Sequence, residues 1–335
     1  MSWAERMLSD EALAPYLVGQ KSLTLASRVQ ALLDEQQENW PVLSEAVAGL
    51  DQVTYKPLQV RGSRVLAQFN PRRLVSTSAR VDAASIRERP CFLCPESLPP
   101  EEKALAFGSD FVLLCNPFPV LRRHLVIASR AHTPQAIESR LSVLLELAKE
   151  LGPDYFALYN GPACGASAPD HLHFQACARE LFPIAQDVEQ WRRQQIKGGR
   201  VEVFTLPGYR LNVLIASSGE REALVEWFQA AKARLAVVTG TPGQEPLLNL
   251  IVTFANSSWR VYFFPRGKHR PACYYAEGEA RLGISPGAID LAGVVVVPEA
   301  SHFARLSGPL LEQIYAEVTL DEERFAELVS ALKHK

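Results

Sequence analysis

The sequence predicts an α+β fold built on antiparallel sheet. Short runs of alternating apolar residues recur in both halves of the chain, and stretches of helical spacing separate them in each half. Several of these runs are joined by links too short for a crossover helix, which favours antiparallel over doubly wound parallel strands. At 335 residues the length suggests about two domains. The 47% hydrophobic and 21% charged composition is that of a globular chain rather than a disordered one.

Residues 1–55 read as a helical extension. From Ser22, taken as an N-cap, Leu25, Ala26, Val29, Leu32 and Leu33 recur at helical spacing until Pro41 interrupts the pattern. A central domain over 56–197 opens on two short strands, marked by Leu58 and Val60, then Val65, Ala67 and Phe69, about a turn at 61–64. A second strand pair, 110–116 and 124–129, is joined by the proline-rich link 117–119. A helix is expected from Pro134 to Leu151, then strands at 155–160 and 171–177. In a C-terminal domain over 198–335, expected elements are a strand at 209–216, a helix at 220–237 and a hairpin of 247–254 with 259–264. A buried strand at 293–297 and amphipathic helices near 307–318 and 321–333 complete it; those helices are a candidate homodimer interface.

Charge and targeting signals exclude several classes. Lys plus Arg number 35 against 37 Asp plus Glu, a net charge of −2, so the chain lacks the basic footprint of a general nucleic-acid binder. The most apolar run, 291–298, is far shorter than the roughly 20 residues of a membrane helix. Glu5, Arg6, Asp10 and Glu11 interrupt the start, unlike a secretory signal, and six cysteines are too sparse for a disulfide scaffold. The expected location is cytoplasmic.

The chemistry concentrates in residues 159–177. Strand alternation places His171, His173 and Gln175 on one face and Leu172, Phe174 and Ala176 on the other. The preceding loop holds Asn160, Gly161, Gly165 and Ser167, small or polar residues that let backbone N–H groups and a hydroxyl approach a phosphate. A neutral imidazole is a competent nucleophile near neutral pH, whereas an amide cannot titrate and can only orient or stabilise oxygens. Cys91 and Cys94 form a Cys-x-x-Cys pair suited to tetrahedral zinc; a redox pair and two ordinary buried thiols are the alternatives. Arg73, Arg266 and Lys268 lie in basic clusters that could clamp phosphate, or that are solvated turns. His124 reads as a sheet histidine rather than a catalyst.

Residues 170–175, reading Asp-His-Leu-His-Phe-Gln, resemble the active-site strand of the histidine-triad (HIT) superfamily branch in which Gln replaces the third His. That branch includes galactose-1-phosphate uridylyltransferase, diadenosine tetraphosphate phosphorylase and GDP-L-galactose phosphorylase, the last having the most similar run. The likeness extends to 68–73 (Gln-Phe-Asn-Pro-Arg-Arg) and 116–119 (Asn-Pro-Phe-Pro), and more weakly to 263–266 and 320–325. It implies a HIT-like antiparallel sheet with flanking helices and a second, degenerate half. It further implies that His173 takes a nucleoside monophosphate as a phosphoramidate while Gln175 holds a non-bridging oxygen. Asn160, Gly161, Gly165 and Ser167 would contact phosphates, Asn116 would lie near the nucleotide, and Arg73, Arg266 and Lys268 near the substrate. A structural zinc would be held by Cys91, Cys94, His132 and His171. The implied activity is ping-pong nucleotidyl transfer from a nucleoside diphosphate sugar or dinucleoside polyphosphate to phosphate or a sugar phosphate. A nucleotide hydrolase and a non-catalytic nucleotide-binding protein are the rival readings.

Overall fold

A computed structural model describes residues 1–19, 22–71, 86 and 89–333. A hairpin of β1 (Thr54–Val60) and β2 (Ser63–Phe69) turns through Arg61 and Gly62, both at positive φ, as a tight two-residue hairpin requires. Next come β3 (Ala104–Phe107), β4 (Phe111–Cys115), β5 (Leu125–Ser129), β6 (Tyr155–Asn160) and β7 (His173–Ala178). The second half supplies β8 (Gln194–Lys197), β9 (Glu202–Thr205), β10 (Leu214–Ser218), β11 (Leu248–Ala255) and β12 (Ser258–Pro265), and β13 (Val294–Val297) follows. Strands β3 to β12 form one ten-stranded sheet in the order β3-β4-β5-β7-β6-β11-β12-β10-β9-β8, antiparallel at every pairing. The only parallel pair in the described sheets, β13 with β2, lies in a separate three-stranded sheet with β1.

The order of the large sheet is a structural duplication. Each half runs first-second-third-fifth-fourth, and the two fourth strands, β6 and β11, meet at the middle. Each half also places its long helix between its third and fourth strands: Leu141–Leu151 in the first, Arg221–Val238 in the second. The expected α+β, HIT-like architecture with two halves is thus the observed one. The expected boundary at 197/198 falls within the β8–β9 hairpin, and β8 pairs with the second half.

One face of the sheet is covered by the helices Leu25–Asn39, Leu141–Leu151, Arg221–Val238 and Glu322–Lys333. Phe174 and Ala176 point into this core beside Leu144, Leu145 and Ala148. The opposite face, which receives Cys177, Phe156, Ile251 and Tyr262, is covered over much of its area by the small sheet and the helix Gly308–Val318. A third apolar cluster, Leu93, Leu98, Val112, Leu114, Val126 and Ala128, seats the loop around Cys91 and Cys94 on the same face near β4 and β5. No helix among the described residues is long and apolar enough to cross a membrane.

Several expected elements change. The helix starts at Leu141 rather than Pro134, because residues before it are held by the sheet edge at Gln135. Thr24, with Ser27 answering it, replaces Ser22 as the helix cap. The strand expected from 209 begins at Leu214: Tyr209 and Arg210 turn inward to Asp187 at 2.6 and 2.5 Å. Strands β3, β8 and β9 are too short to show a period in the sequence.

The Arg210 side chain is wholly buried, and Asp187 carries its countercharge. Asp187→Leu should therefore leave a guanidinium unpaired in the interior and lower the unfolding free energy by about 3–5 kcal/mol in urea titration. A loss below about 1 kcal/mol would mean that the pair is not an anchor of the second half.

Candidate functional site

Strand β7 carries the central residues because its two edges are held differently at its start. On one side β5 pairs along the strand as far as Ala128 opposite His173. On the other side β6 pairs only as far as Leu158 opposite Gln175, and beyond that the two strands part. The gap is closed by the side chain of Gln135, which is 3% exposed. Its amide nitrogen donates to Asn160 O at 2.8 Å and His173 O at 3.0 Å, and its Oε1 accepts from His173 N at 2.8 Å. One side-chain amide thus replaces the missing strand partner, so the backbone of His173 is satisfied where the sheet opens.

His173 itself is buried, and its Nδ1 lies 2.8 Å from the carbonyl oxygen of His171. That geometry assigns the proton to Nδ1, which donates to the carbonyl, and leaves the lone pair on Nε2. Nε2 has no hydrogen-bond partner among the described residues. Burial holds the imidazole down at about 4, the nearby carbonyl opposing it, so the ring is neutral at physiological pH.

Gln175 is oriented by His124, which the sequence reads as a sheet histidine rather than a catalyst. His124 accepts from Val120 N at Nδ1, 3.2 Å away, so its Nε2 carries the proton and donates to Gln175 Oε1 at 2.9 Å. With the oxygen engaged, the amide nitrogen of Gln175 is the end left to donate, and it has no protein partner among the described residues. Asn116 sits beside this pair, its Oδ1 accepting from Phe118 N at 2.9 Å and its Nδ2 3.5 Å from His124 Nε2. The signal available in the sequence was His124 opening the strand that neighbours the His-x-His-x-Gln run, a relation visible only once the strands are paired.

The loop after β6 is pinned to the second half. Gly161 donates to Leu248 O at 3.2 Å, and a Cβ there would lie 2.9 Å from that carbonyl. Gly165, at φ +96°, would place a Cβ 3.1 Å from Gly287 Cα. These glycines allow two backbones to meet, a reason different from the phosphate approach expected of them. Asn160 Oδ1 accepts from Asn249 Nδ2 at 2.7 Å and from Ala288 N at 2.8 Å. Ser167 is half-buried, with no hydrogen-bond partner among the described residues.

The basic candidates separate. Arg266 is fully buried and spends its guanidinium on five protein oxygens: Asn249 Oδ1 and the carbonyls of Val318, Pro286, Lys268 and His269. It supports Asn249 and, through it, Asn160; the expected substrate contact is not available to a side chain with every donor engaged. Lys268 is exposed and paired with Glu317 at 2.9 Å. Arg73 lies outside the described residues.

Cys91, Cys94, His132 and His171 come together, one ligand atom from each lying within 4.8 Å of the others. Cys91 Sγ and Cys94 Sγ are 3.2 and 3.5 Å from His171 Nδ1, and Cys94 Sγ is 3.3 Å from His132 Nδ1. Tetrahedral bond lengths to sulfur and nitrogen would separate such atoms by about 3.5 Å. His171 directs Nδ1 inward because its Nε2 donates to Ser129 O at 2.8 Å, the outer support typical of a ligating histidine. Without a cation, burial and the adjacent Cys91 push the Cys94 thiol up to about 12. Two thiolates and two imidazoles at this spacing could hold one metal ion, with no protein-free position needed for tetrahedral closure.

Residues 32–178 match a family model described as a domain of unknown function (DUF4922), and residues 188–335 match the GDPGP1-like, C-terminal domain. No curated protein matches the chain. Among solved structures, the fold is similar to yeast Ap4A phosphorylase Apa2 in complex with AMP, at 17% identity and a TM-score of 0.58, covering 87% of this chain and 97% of that one. The same yeast protein in complex with Ap4A gives 16% identity and a TM-score of 0.54, with coverage of 87% and 97%.

Gln135→Leu keeps the volume but strips partners from His173 N, His173 O and Asn160 O. With three buried groups affected, it should lower stability by about 2–4 kcal/mol in denaturant titration. An unchanged midpoint would show that water or a backbone shift replaces the amide.

Proposed function

Taking the chain as a member of the HIT-like branch that contains the uridylyltransferases and Ap4A phosphorylase, we propose that it is a nucleotidyltransferase or phosphorylase acting through a nucleotidyl-His173 intermediate. Its donor would be a nucleoside diphosphate sugar or a dinucleoside polyphosphate, and its acceptor phosphate or a sugar phosphate. The observation that carries this reading is the His173 imidazole, with Nδ1 committed to a carbonyl and Nε2 unpartnered, beside a Gln175 amide whose nitrogen is the free end.

In the first half-reaction the Nε2 lone pair attacks the α-phosphorus. An N–P bond forms, the bridging P–O bond breaks, and the leaving group departs with the bonding pair, a sugar phosphate from a nucleoside diphosphate sugar or a nucleoside polyphosphate from a dinucleoside polyphosphate. In the second, an acceptor phosphate oxygen attacks the same phosphorus and the N–P pair returns to Nε2. Charge builds on the non-bridging oxygens in both steps, and a fixed amide N–H stabilises it without contributing a proton. An acceptor that is already anionic and a leaving group that is already a good one need no third titrating histidine, which favours transfer over hydrolysis. Asn160 and Ser167, on the loop beside the strand, would bind phosphate oxygens, and Asn116 would border the nucleotide.

The four-residue cluster would hold zinc. With all four positions supplied by protein, the ion would be structural, tying the Cys91 loop to the strand that bears His173.

Incubation with a panel of α-phosphorus-labelled nucleoside diphosphate sugars and dinucleoside polyphosphates should trap an acid-labile, base-stable adduct on His173. His173→Ala should lose the adduct and at least about 10⁴-fold in kcat, and Gln175→Ala about 10²–10³-fold. Label from none of the donors would overturn the covalent mechanism; turnover equal with and without phosphate would favour the hydrolase. Elemental analysis should find about one zinc per chain, and a metal-free, fully folded protein would remove the zinc.

A further inference from the structure

The two loops that supply metal ligands are both gripped by one short segment near the start of the chain. Residues Trp3–Arg6 form a single helical turn, fastened by Glu5, whose carboxylate accepts from Ser2 N at 2.5 Å and Ser2 Oγ at 3.1 Å. Arg6 follows and is 1% exposed. Its guanidinium donates to four carbonyl oxygens of the segment that continues from Cys94: Pro95 at 2.8 Å, Leu98 at 2.6 Å, Pro99 at 2.6 Å and Glu102 at 3.0 Å. Those carbonyls all point at one planar cation, so the loop is wound around Arg6 as around a post.

The same segment reaches the other ligand loop. Trp3 Nε1 donates to Arg130 O at 3.0 Å, between Ser129, whose carbonyl accepts from His171, and His132, a ligand. Trp3, Met7 and Cys91 pack together against the cluster beneath the Cys loop, and Leu8 N donates to Ala104 O at 3.0 Å beside a parallel bridge of Met7 with Ala104. Neither matched family model includes these residues, since the first begins at 32.

We infer that residues 3–8 are a clasp for the metal centre, with Arg6 as a positioning residue that fixes the Cys91–Cys94 loop in its ligating shape. The inference rests on the metal reading of the four-residue cluster. A tetrahedral site binds tightly when its ligands are held in place before the ion arrives, and much of that order here comes from bonds to Arg6 rather than from the short loop itself. A planar fork with five donors can serve four divergent carbonyls, which a lysine ammonium with three donors cannot. Coupling of this kind is reciprocal: if the clasp favours the ion, the ion must favour the closed clasp by the same factor.

The test uses the full chain and Co²⁺, whose thiolate absorption reports the ligand set, in competition with a chromogenic chelator. Arg6→Met, which keeps the apolar stem, should weaken Co²⁺ binding at least about tenfold. Trp3→Phe, which keeps the ring packing but loses the donor to Arg130, should weaken it by about threefold. Since Arg6→Met could fail to fold, hydrogen exchange on the unaltered chain provides a second reading: Zn²⁺ should slow exchange at Met7 and Leu8 by about the factor seen in affinity. Co²⁺ bound with thiolate absorption but equally tightly by all three proteins, or unchanged exchange at Met7 and Leu8, would overturn the clasp alone. Failure of the unaltered chain to bind Co²⁺ or Zn²⁺ would overturn the metal reading and the clasp with it.

Discussion

The site depends on the parting of β6 from β7 just where His173 begins. A sheet that stayed zipped would bury both edges of the strand in ladder bonds and leave no opening beside the imidazole. A sheet that simply frayed would expose three polar backbone groups and let the ring drift. Gln135 resolves this by acting as a one-residue strand: a side-chain amide has the same donor and acceptor as a peptide, and here it meets N–H and C=O of His173 together with C=O of Asn160. The delayed start of the following helix is the cost of placing Gln135 there.

From that point, order propagates in two directions. Towards the four-residue Cys and His cluster it passes through Leu172 to His171, whose carbonyl fixes the His173 tautomer while its own ring joins Cys91 and Cys94. Towards the second half it passes through Asn160 to Asn249 and the buried Arg266. The duplicated half therefore contributes support. On the face where the first half presents His173, Gln175 and Cys177, β12 presents Arg260, Tyr262 and Phe264. Tyr262 and Phe264 are wholly buried beneath the second core, and Arg260 is paired with Glu189 at 2.5 Å. In the second half that face is given over to packing, and the half forms a floor for the loop after β6.

The parts of this arrangement that were legible in the sequence are those carried by short spacings. His171, His173 and Gln175 share a face because strands have period two, and Cys91 with Cys94 reads as a ligand pair because the spacing is local. Residues whose role depends on long-range pairing were not legible. Gln135 lies 38 positions before His173 and His124 lies 51 before Gln175, and nothing near either marks it. Arg266 was misleading for the opposite reason: with Lys268 it made a basic cluster, but the guanidinium is turned inward by carbonyls from three separate segments. At Gly161 and Gly165, read in the sequence as places where a phosphate approaches, the backbone of the second half comes close.

Gln175 owes its orientation to His124. An isolated amide can rotate and present either its oxygen or its nitrogen to a phosphate, and the wrong end is repulsive. His124 removes that choice, because its Nδ1 is occupied by Val120 N–H and its Nε2–H can only donate. A glutamate at 175 would also accept from His124, yet it would bring a negative charge and have no donor to offer at its other oxygen. The amide is thus the group that keeps a donor without adding a charge, and its orientation is set in the strand next door.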